Sequence, residues 1–429
     1  MVEYIDLRYK PTKKDFVLYY YVESRIDFKK ACEQIAAESS IGTWTKIKTM
    51  NSKVATKLKP HVFSIKKLGP KKGFIKIAYP YELFEPGSVP QLLSSIAGNI
   101  FGMKLIKNLR LEDINFPKKY INSFKGPKYG IKGVRRKFGI KKRPLVGTIV
   151  KPKVGLTAKQ HAKVAYDSWI GGCDVVKDDE NLTSMSFNKF EDRLKEVMKM
   201  KEKAEKETGE KKGYMVNITA PCSTMLKRMK MSKDIGNDYA MVDILTSGFS
   251  ALQTVRDYNE DYDLIIHAHR AMHAALTKNK KHGISMLAIA KLSRLIGVDQ
   301  LHIGTGVGKM EGSKVEVREI EDDIEKSFFI GRSKRGEPFT PLNSNWYDIK
   351  PVFAVTSGGL YPKLVPKLIK FMGNDIIIQA GGGIHGHPDG TVEGAKAMRQ
   401  AVDAAMQGIS LREYAKSHSA LRRALDYWK

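Results

Sequence analysis

From Pro144 onward, eight short apolar runs recur along the chain, most of them followed by a segment with helical spacing. They are Leu145–Val150, Cys173–Val176, Tyr214–Ile218, Ala240–Leu245, Leu264–His267, Gln300–Gly304, Val352–Val355 and Ile376–Gln379. The intervening amphipathic stretches include His161–Ile170, Phe187–Glu207, Met286–Ile296 and Val392–Met406. Eight β and α units in alternation predict a parallel (β/α)8 TIM barrel with its helices in an outer ring. Roughly 300 residues suit that architecture, which builds its sites from the loops at the C-terminal ends of the strands.

The first 126 residues read differently. Phe16–Val22, Gly42–Lys48 and Gly73–Ala78 have strand composition, while Asp27–Ala37 and Val89–Ile96 have helical spacing, with no repeated unit. A smaller α+β, ferredoxin-like domain with a mixed or antiparallel sheet is expected over 1–126. The barrel and its closing helices are expected over 127–429. Pro117–Gly139, rich in Lys, Gly and Pro, reads as the crossing between them.

Composition excludes several classes. Hydrophobic content of 42% and charged content of 28% are ordinary for a globular protein. No apolar run approaches the roughly 18 residues of a membrane span, and the first residues are polar, so a soluble, cytoplasmic protein without membrane contact is expected. Cys32, Cys173 and Cys222 lie far apart, which argues against a disulfide framework and a structural zinc site. The net charge of +28 raises a nucleic-acid partner or a multiply anionic substrate. The lysines are dispersed without interleaved aromatics, which argues against nucleic acid and leaves the excess without a firm account.

The strand ends carry the chemistry. In order they present Lys151 and Lys153; Lys177, Asp179 and Glu180; Asn217; His267, His269 and Arg270; His302; Ser357-Gly358-Gly359; and Gly381-Gly382-Gly383. Alone, the acidic turn after Lys177 divides evenly between a solvated loop and a magnesium site, since two carboxylates within four residues suit a hard cation. Reactive residues on nearly every other strand end favour the site. Glycines after the last two strands sit where barrels commonly hold phosphate, opposite Arg270 and His302. Gly304-Thr-Gly-Val-Gly-Lys309 reads as a mobile lid carrying a lysine. Two phosphate sites flanking a metal suggest a bisphosphorylated, sugar-like substrate. The chemistry that fits is proton abstraction beside a carbonyl, with a lysine of lowered pKa such as Lys151 as base.

Several motifs together carry a family resemblance. They are Gly147-Thr-Ile-Val-Lys-Pro-Lys153, Gly171-Gly-Cys-Asp-Val-Val-Lys-Asp-Asp-Glu-Asn181, His267-Ala-His-Arg-Ala-Met-His273, the lid, Ser357-Gly-Gly359 and Gly381-Gly-Gly383. Glu38-Ser-Ser-Ile-Gly-Thr-Trp44 and Gly98-Asn-Ile-Phe-Gly102 add to them. Over essentially its whole length the chain resembles the large, catalytic subunit of ribulose-1,5-bisphosphate carboxylase/oxygenase (RuBisCO), in its short archaeal form III, methanogen-like type.

The resemblance implies the following. Lys177 takes up CO2 as a carbamate and joins Asp179 and Glu180 in binding Mg2+. Lys151 removes the C3 proton of ribulose 1,5-bisphosphate, Lys153 assists at the enediolate, His269 transfers protons, and Lys309 stabilises the new carboxylate. Arg270, His302 and Ser357 hold one phosphate; Thr43, Trp44, Gly359, Gly381 and Gly382 hold the other, and Gly358 is a further substrate-binding residue. Glu38 and Asn99 reach in from a neighbouring subunit, making a homodimer the minimal unit, with higher rings of dimers left open and no small subunit expected. CO2 and O2 compete as substrates, and the pathway implied is AMP salvage. Ile149 stands where plant-type enzymes carry a threonine, and Thr305-Gly306-Val307 departs from the usual lid; both bear on selectivity and turnover. The alternative is a RuBisCO-like enolase or isomerase without carboxylation, against which the presence of Lys151, Lys177, His302, Ser357 and Lys309 weighs.

Overall fold

Asp15–Ser24 is so dense in aromatic and β-branched residues that it forms the central strand of the first sheet. The computed structural model describes residues 2–43, 45, 47–307, 313–333 and 339–428. Contacts divide the chain into two compact units, one of 1–126, 272–296 and 326–349, the other of 127–271, 297–325 and 350–429.

In the first unit, strands Asp15–Ser24, His61–Gly69, Lys72–Pro80 and Ile106–Asn115 pair antiparallel in the order fourth, first, third, second. Helices Phe28–Glu38 and Val89–Ile96 complete a ferredoxin-like βαββαβ succession, capped by the side chains of Asp27 and Ser88. Gly283–Ile284 adds a parallel edge strand, so the sheet is mixed. Alternation along the central strand sorts its side chains. Phe16 packs against Phe84 and the Tyr20 hydroxyl donates to Ile96 O, whereas Tyr19 and Tyr21 cluster with Phe74 and Leu342.

The expected strand at Gly42–Lys48 does not form: none of the described residues there is in a strand. The Gly42 N–H instead bonds Ala37 O, closing the turn after the first helix, and Asn51 then caps helix Ser52–Leu58. Helix Met286–Ile296, read from the sequence as a barrel helix, is buried at every residue and belongs to the first unit. Its Lys291 ammonium lies 2.5 Å from Asp113 Oδ1, and Asp113 Oδ2 accepts from the Leu342 N–H. Arg294 donates to Lys326 O and Ile349 O, which ties the 326–349 segment to the same body.

The second unit contains the barrel. Strands Leu145–Ile149, Val175–Lys177, Gly213–Met215, Tyr239–Asp243, Ile265–His269, Gln300–His302, Phe353–Ser357 and Ile376–Gln379 form one parallel sheet. A parallel bridge between Asn217 and Met241 joins its two ends. Val175, Met215, Met241, Ile265, Val355 and Ile377 are among the side chains that fill its interior, continuous with Ile131, Val134 and Phe138 of helix Gly130–Phe138. Gly213 is required here, because a Cβ would stand 2.7 Å from the Phe138 ring. Among the described residues, no helix is long and apolar enough to cross a membrane.

The Lys291–Asp113 pair is fully buried, so removing one partner strands the other charge. Asp113→Ala should lower unfolding stability by about 3–5 kcal/mol. Urea denaturation checks this, and the double change Asp113→Leu/Lys291→Met should recover much of the loss.

Candidate active site

The second barrel strand sends buried Val175 and Val176 into the core and delivers Lys177 to the barrel mouth, almost wholly buried. The Lys177 ammonium donates to Asp178 O at 2.8 Å and lies 3.9 Å from Glu180 Oε2. Burial pulls its pKa down, against the opposing pull of Glu180, Asp243, Asp179 and Asp178. An amine so placed is biased toward its neutral, nucleophilic form.

Asp178 points the other way. Its carboxylate takes the Arg193 guanidinium at 3.1 Å, the Tyr214 hydroxyl at 2.6 Å and the Asn217 N–H at 2.9 Å, with His161 Nε2 at 3.0 Å. Burial alone would raise its pKa, but Arg193 and the other partners hold it well below the carboxylate range. Asp178 is thus an anchor that fixes the turn, and it leaves its neighbours to face the cavity. Asp179, also buried, accepts from Lys151 Nζ at 2.9 Å and from Asn181; these contacts outweigh burial and keep it ionised. Glu180 is partly exposed, with Lys153 Nζ at 4.0 Å and His269 Nε2 at 3.7 Å.

Across the mouth, strands five, six and seven carry a connected polar chain. His267 bonds Gln300 at 2.8 Å and His302 at 3.0 Å, and His302 bonds Ser357 at 2.9 Å. Burial pushes His267 down to about 3 and His302 well below the usual histidine range, so both are neutral at neutral pH. Arg270, pushed down to about 10 by burial, has no hydrogen bond or ion pair among the described residues, so its donors remain available to an anion. Gly358 and Gly359 lie at φ 113° and 69°, which only glycine adopts readily, and both follow Ser357. Gly381 lets the chain pass Lys151, whose Cε would stand 3.2 Å from a Cβ there; Gly382 opens the next short helix.

Thus Lys151, Lys153, Lys177, Asp179, Glu180, His269, Arg270, His302, Ser357, Gly358, Gly359, Gly381 and Gly382 all belong to the barrel unit, at the C-terminal ends of its strands. Glu38, Thr43 and Asn99 belong to the first unit. Trp44 and Lys309 lie outside the described residues. Two polar groups escaped the sequence reading. Asp243 ends the fourth strand and its Oδ1 lies 3.1 Å from His269 Nδ1. The rule of reading strand ends would have found it. His385 joins the mouth through Thr148 Oγ1 and Ile149 O, both at 3.0 Å. It sits beyond the glycines, on a helix of four residues that no periodicity marks.

Among the described residues, no three His, Cys, Asp or Glu side chains converge as a ready metal site. Asp179 and Glu180 supply two hard oxygen donors; a third anionic oxygen on Lys177 would complete a set that magnesium favours.

Comparison with known proteins covers the whole chain. The family model described as the ribulose bisphosphate carboxylase large chain, catalytic domain, matches residues 130–428, and that of the N-terminal domain matches residues 3–120. Ribulose bisphosphate carboxylase from Methanocaldococcus jannaschii is 53% identical over 432 residues, covering 100% of both chains. That from Methanosarcina mazei is 52% identical and covers 99% of each. Among solved structures, the dimeric archaeal Rubisco from Hyperthermus butylicus has a TM-score of 0.94 at 50% identity, covering 99% of this chain and 98% of its own. The octameric enzyme from Pyrococcus horikoshii OT3 has a TM-score of 0.91 at 47% identity, covering 99% and 95%.

The buried histidines dictate an acid response. His385 is pushed down to about 4 by burial, so between pH 6.5 and 4 the unfolded chain binds a proton that the folded chain refuses. Stability should therefore fall as pH drops through that window. In His385→Asn the slope should flatten by up to about 1.4 kcal/mol per pH unit, read from urea midpoints across pH.

Proposed function

The chain belongs to the ribulose bisphosphate carboxylase large-chain family, and from that premise we propose that it is a ribulose-1,5-bisphosphate carboxylase/oxygenase, a carbon–carbon lyase dependent on Mg2+. The observation that carries this reading is the buried Lys177 amine, 3.9 Å from Glu180 and two residues before Asp179 in sequence. Addition of CO2 to that amine in its neutral form, with loss of one proton, would give a carbamate anion beside two carboxylates. Magnesium bound by Lys177, Asp179 and Glu180 would polarise the substrate carbonyl and stabilise the enediolate.

In this reading Lys151 removes the C3 proton of ribulose 1,5-bisphosphate. It is held toward the site by its contact with Asp179 and by the room that Gly381 leaves. Lys153, 4.0 Å from Glu180, assists at the developing oxyanion. CO2 adds to the enediolate carbon, and hydration and cleavage of the six-carbon product give two 3-phosphoglycerates. His269 shuttles protons through these steps, with Asp243 behind its ring. Arg270, His302 and Ser357 hold one phosphate, while Thr43, Trp44, Gly359, Gly381 and Gly382 hold the other, with Gly358 also binding substrate. Lys309 meets the new carboxylate. O2 competes for the same enediolate, giving the oxygenase (monooxygenase) side reaction. A homodimer whose partner supplies Glu38 and Asn99 is the proposed minimal unit, without small subunits; the dimeric and octameric archaeal structures support an oligomer. The proposed setting is cytoplasmic AMP salvage.

The test is incorporation of 14CO2 into acid-stable product with ribulose 1,5-bisphosphate, Mg2+ and bicarbonate under anaerobic conditions. Wild type should incorporate label, and Lys177→Ala should fall by about a thousandfold or more. Exchange of the C3 proton without fixed label would instead identify an enolase, and undiminished product from Lys177→Ala would remove the carbamate from the mechanism.

A further inference from the structure

At the end of the barrel opposite the catalytic residues lies a cavity of about 830 Å³. Its walls come from the chain just before strands one, two and three (136–143, Asp174 and 209–211) and from helix Gly390–Met406. That volume falls within the range of small-molecule sites, roughly 300–1,000 Å³. Seven cationic side chains line it against three carboxylates.

The carboxylates are already engaged. Asp174, buried, is gripped by Arg143 through two bonds of 2.7 Å and approached by Arg399 at 3.6 Å. Glu210 pairs with Lys212 at 2.7 Å and Arg399 at 3.3 Å, and Asp403 lies 3.4 Å from Arg399. Of the remaining cations, Lys137 pairs with Asp238 and Lys211 stands 3.9 Å from Glu205. The side chains of Arg136, Lys141 and Lys142 have no hydrogen bond or ion pair among the described residues. Three such charges are therefore held around one concavity whose negative groups are consumed in its floor. Phe138, Ile140 and Met406 add an apolar wall. Like charges gathered this closely repel one another, and a multivalent anion relieves that repulsion.

We propose that this cavity is a second ligand site, for a compact anion bearing two or more phosphoryl groups. Arg136, Lys141 and Lys142 are its recognition groups, and the Asp174–Arg143–Arg399 network is its rigid floor. The phosphoryl chain reaches it either as free inorganic polyphosphate or as part of a nucleoside polyphosphate. The site is separate from the catalytic mouth, because residues 143, 174 and 211 precede the very strands whose far ends carry Lys151, Lys177 and Asn217.

Calorimetric titration of the full-length protein at fixed ionic strength tests this, with inorganic tripolyphosphate and uridine triphosphate as probes. The expected result is one saturable site per chain outside the catalytic mouth. It should be retained in Arg270→Gln and in the control Lys199→Glu/Lys203→Glu, and weakened at least about tenfold in Lys141→Glu/Lys142→Glu. The milder Lys142→Ser should weaken it less. Equal affinity for both probes identifies the phosphoryl chain as what is read; tighter binding of uridine triphosphate identifies a nucleotide. CO2 fixation without added anion should be unchanged in the Lys141/Lys142 variant. Absence of saturable binding, equal loss in the control, or loss in Arg270→Gln with retention in the Lys141/Lys142 variant would each overturn the proposal.

Discussion

Asp178 holds the candidate site together without facing it. A carboxylate taken entirely out of water is tolerated only when every oxygen is met. Here Arg193, Tyr214, His161 and the Asn217 N–H meet it, drawn from the helices beside strands one and two and from the end of strand three. That fixes the turn between two residues of opposite duty. With Asp178 locked outward, Lys177 and Asp179 have no alternative but the mouth. Lys177 and Asp179 thus inherit their orientation from the Asp178–Arg193 ion pair between them.

A second constraint is that the mouth is built from neutral histidines. His267 and His302 share a hydrogen bond under burial that keeps both uncharged, so the positive potential there comes from Arg270 and the lysines. A ring that neither gains nor loses a proton near neutrality serves as a fixed dipole, which suits orientation of a phosphate or an enediolate better than a titrating one would. Lys177 is subject to the same burial with the opposite consequence. Its neutral form is the reactive one.

Much of this was legible in the chain because strand ends announce themselves: an apolar run stops, and a charged or glycine residue follows. The eight barrel strands were read within a few residues. Other features obey no local pattern. Helix Met286–Ile296 has the spacing of any barrel helix; only the partner of its buried Lys291, Asp113, 178 positions earlier, assigns it to the first unit. The edge strand Gly283–Ile284 is two residues long, below what periodicity detects. Gly42–Lys48 failed in the other direction, since β-forming residues there lost to a helix end and a following cap. Asp243 ends a strand and was within reach of the same rule, whereas His385 is recognised only by what it touches.

Closure of the barrel also sets when the protein acquires any activity during synthesis. Arg135, under the first strand, is bonded to Asp375 and to Asn374 O, about 240 residues later. The first strand's Thr148 bonds Ala380 O, 232 residues on. A nascent chain that already holds Lys151, Lys177, His269 and His302 therefore still carries its first strand with an unpaired edge, open to the wrong neighbour. Pairing so distant in sequence is slow to find. The last strand off the ribosome seals the sheet and completes the site in one event, so a truncated chain is an aggregation hazard rather than a weak enzyme.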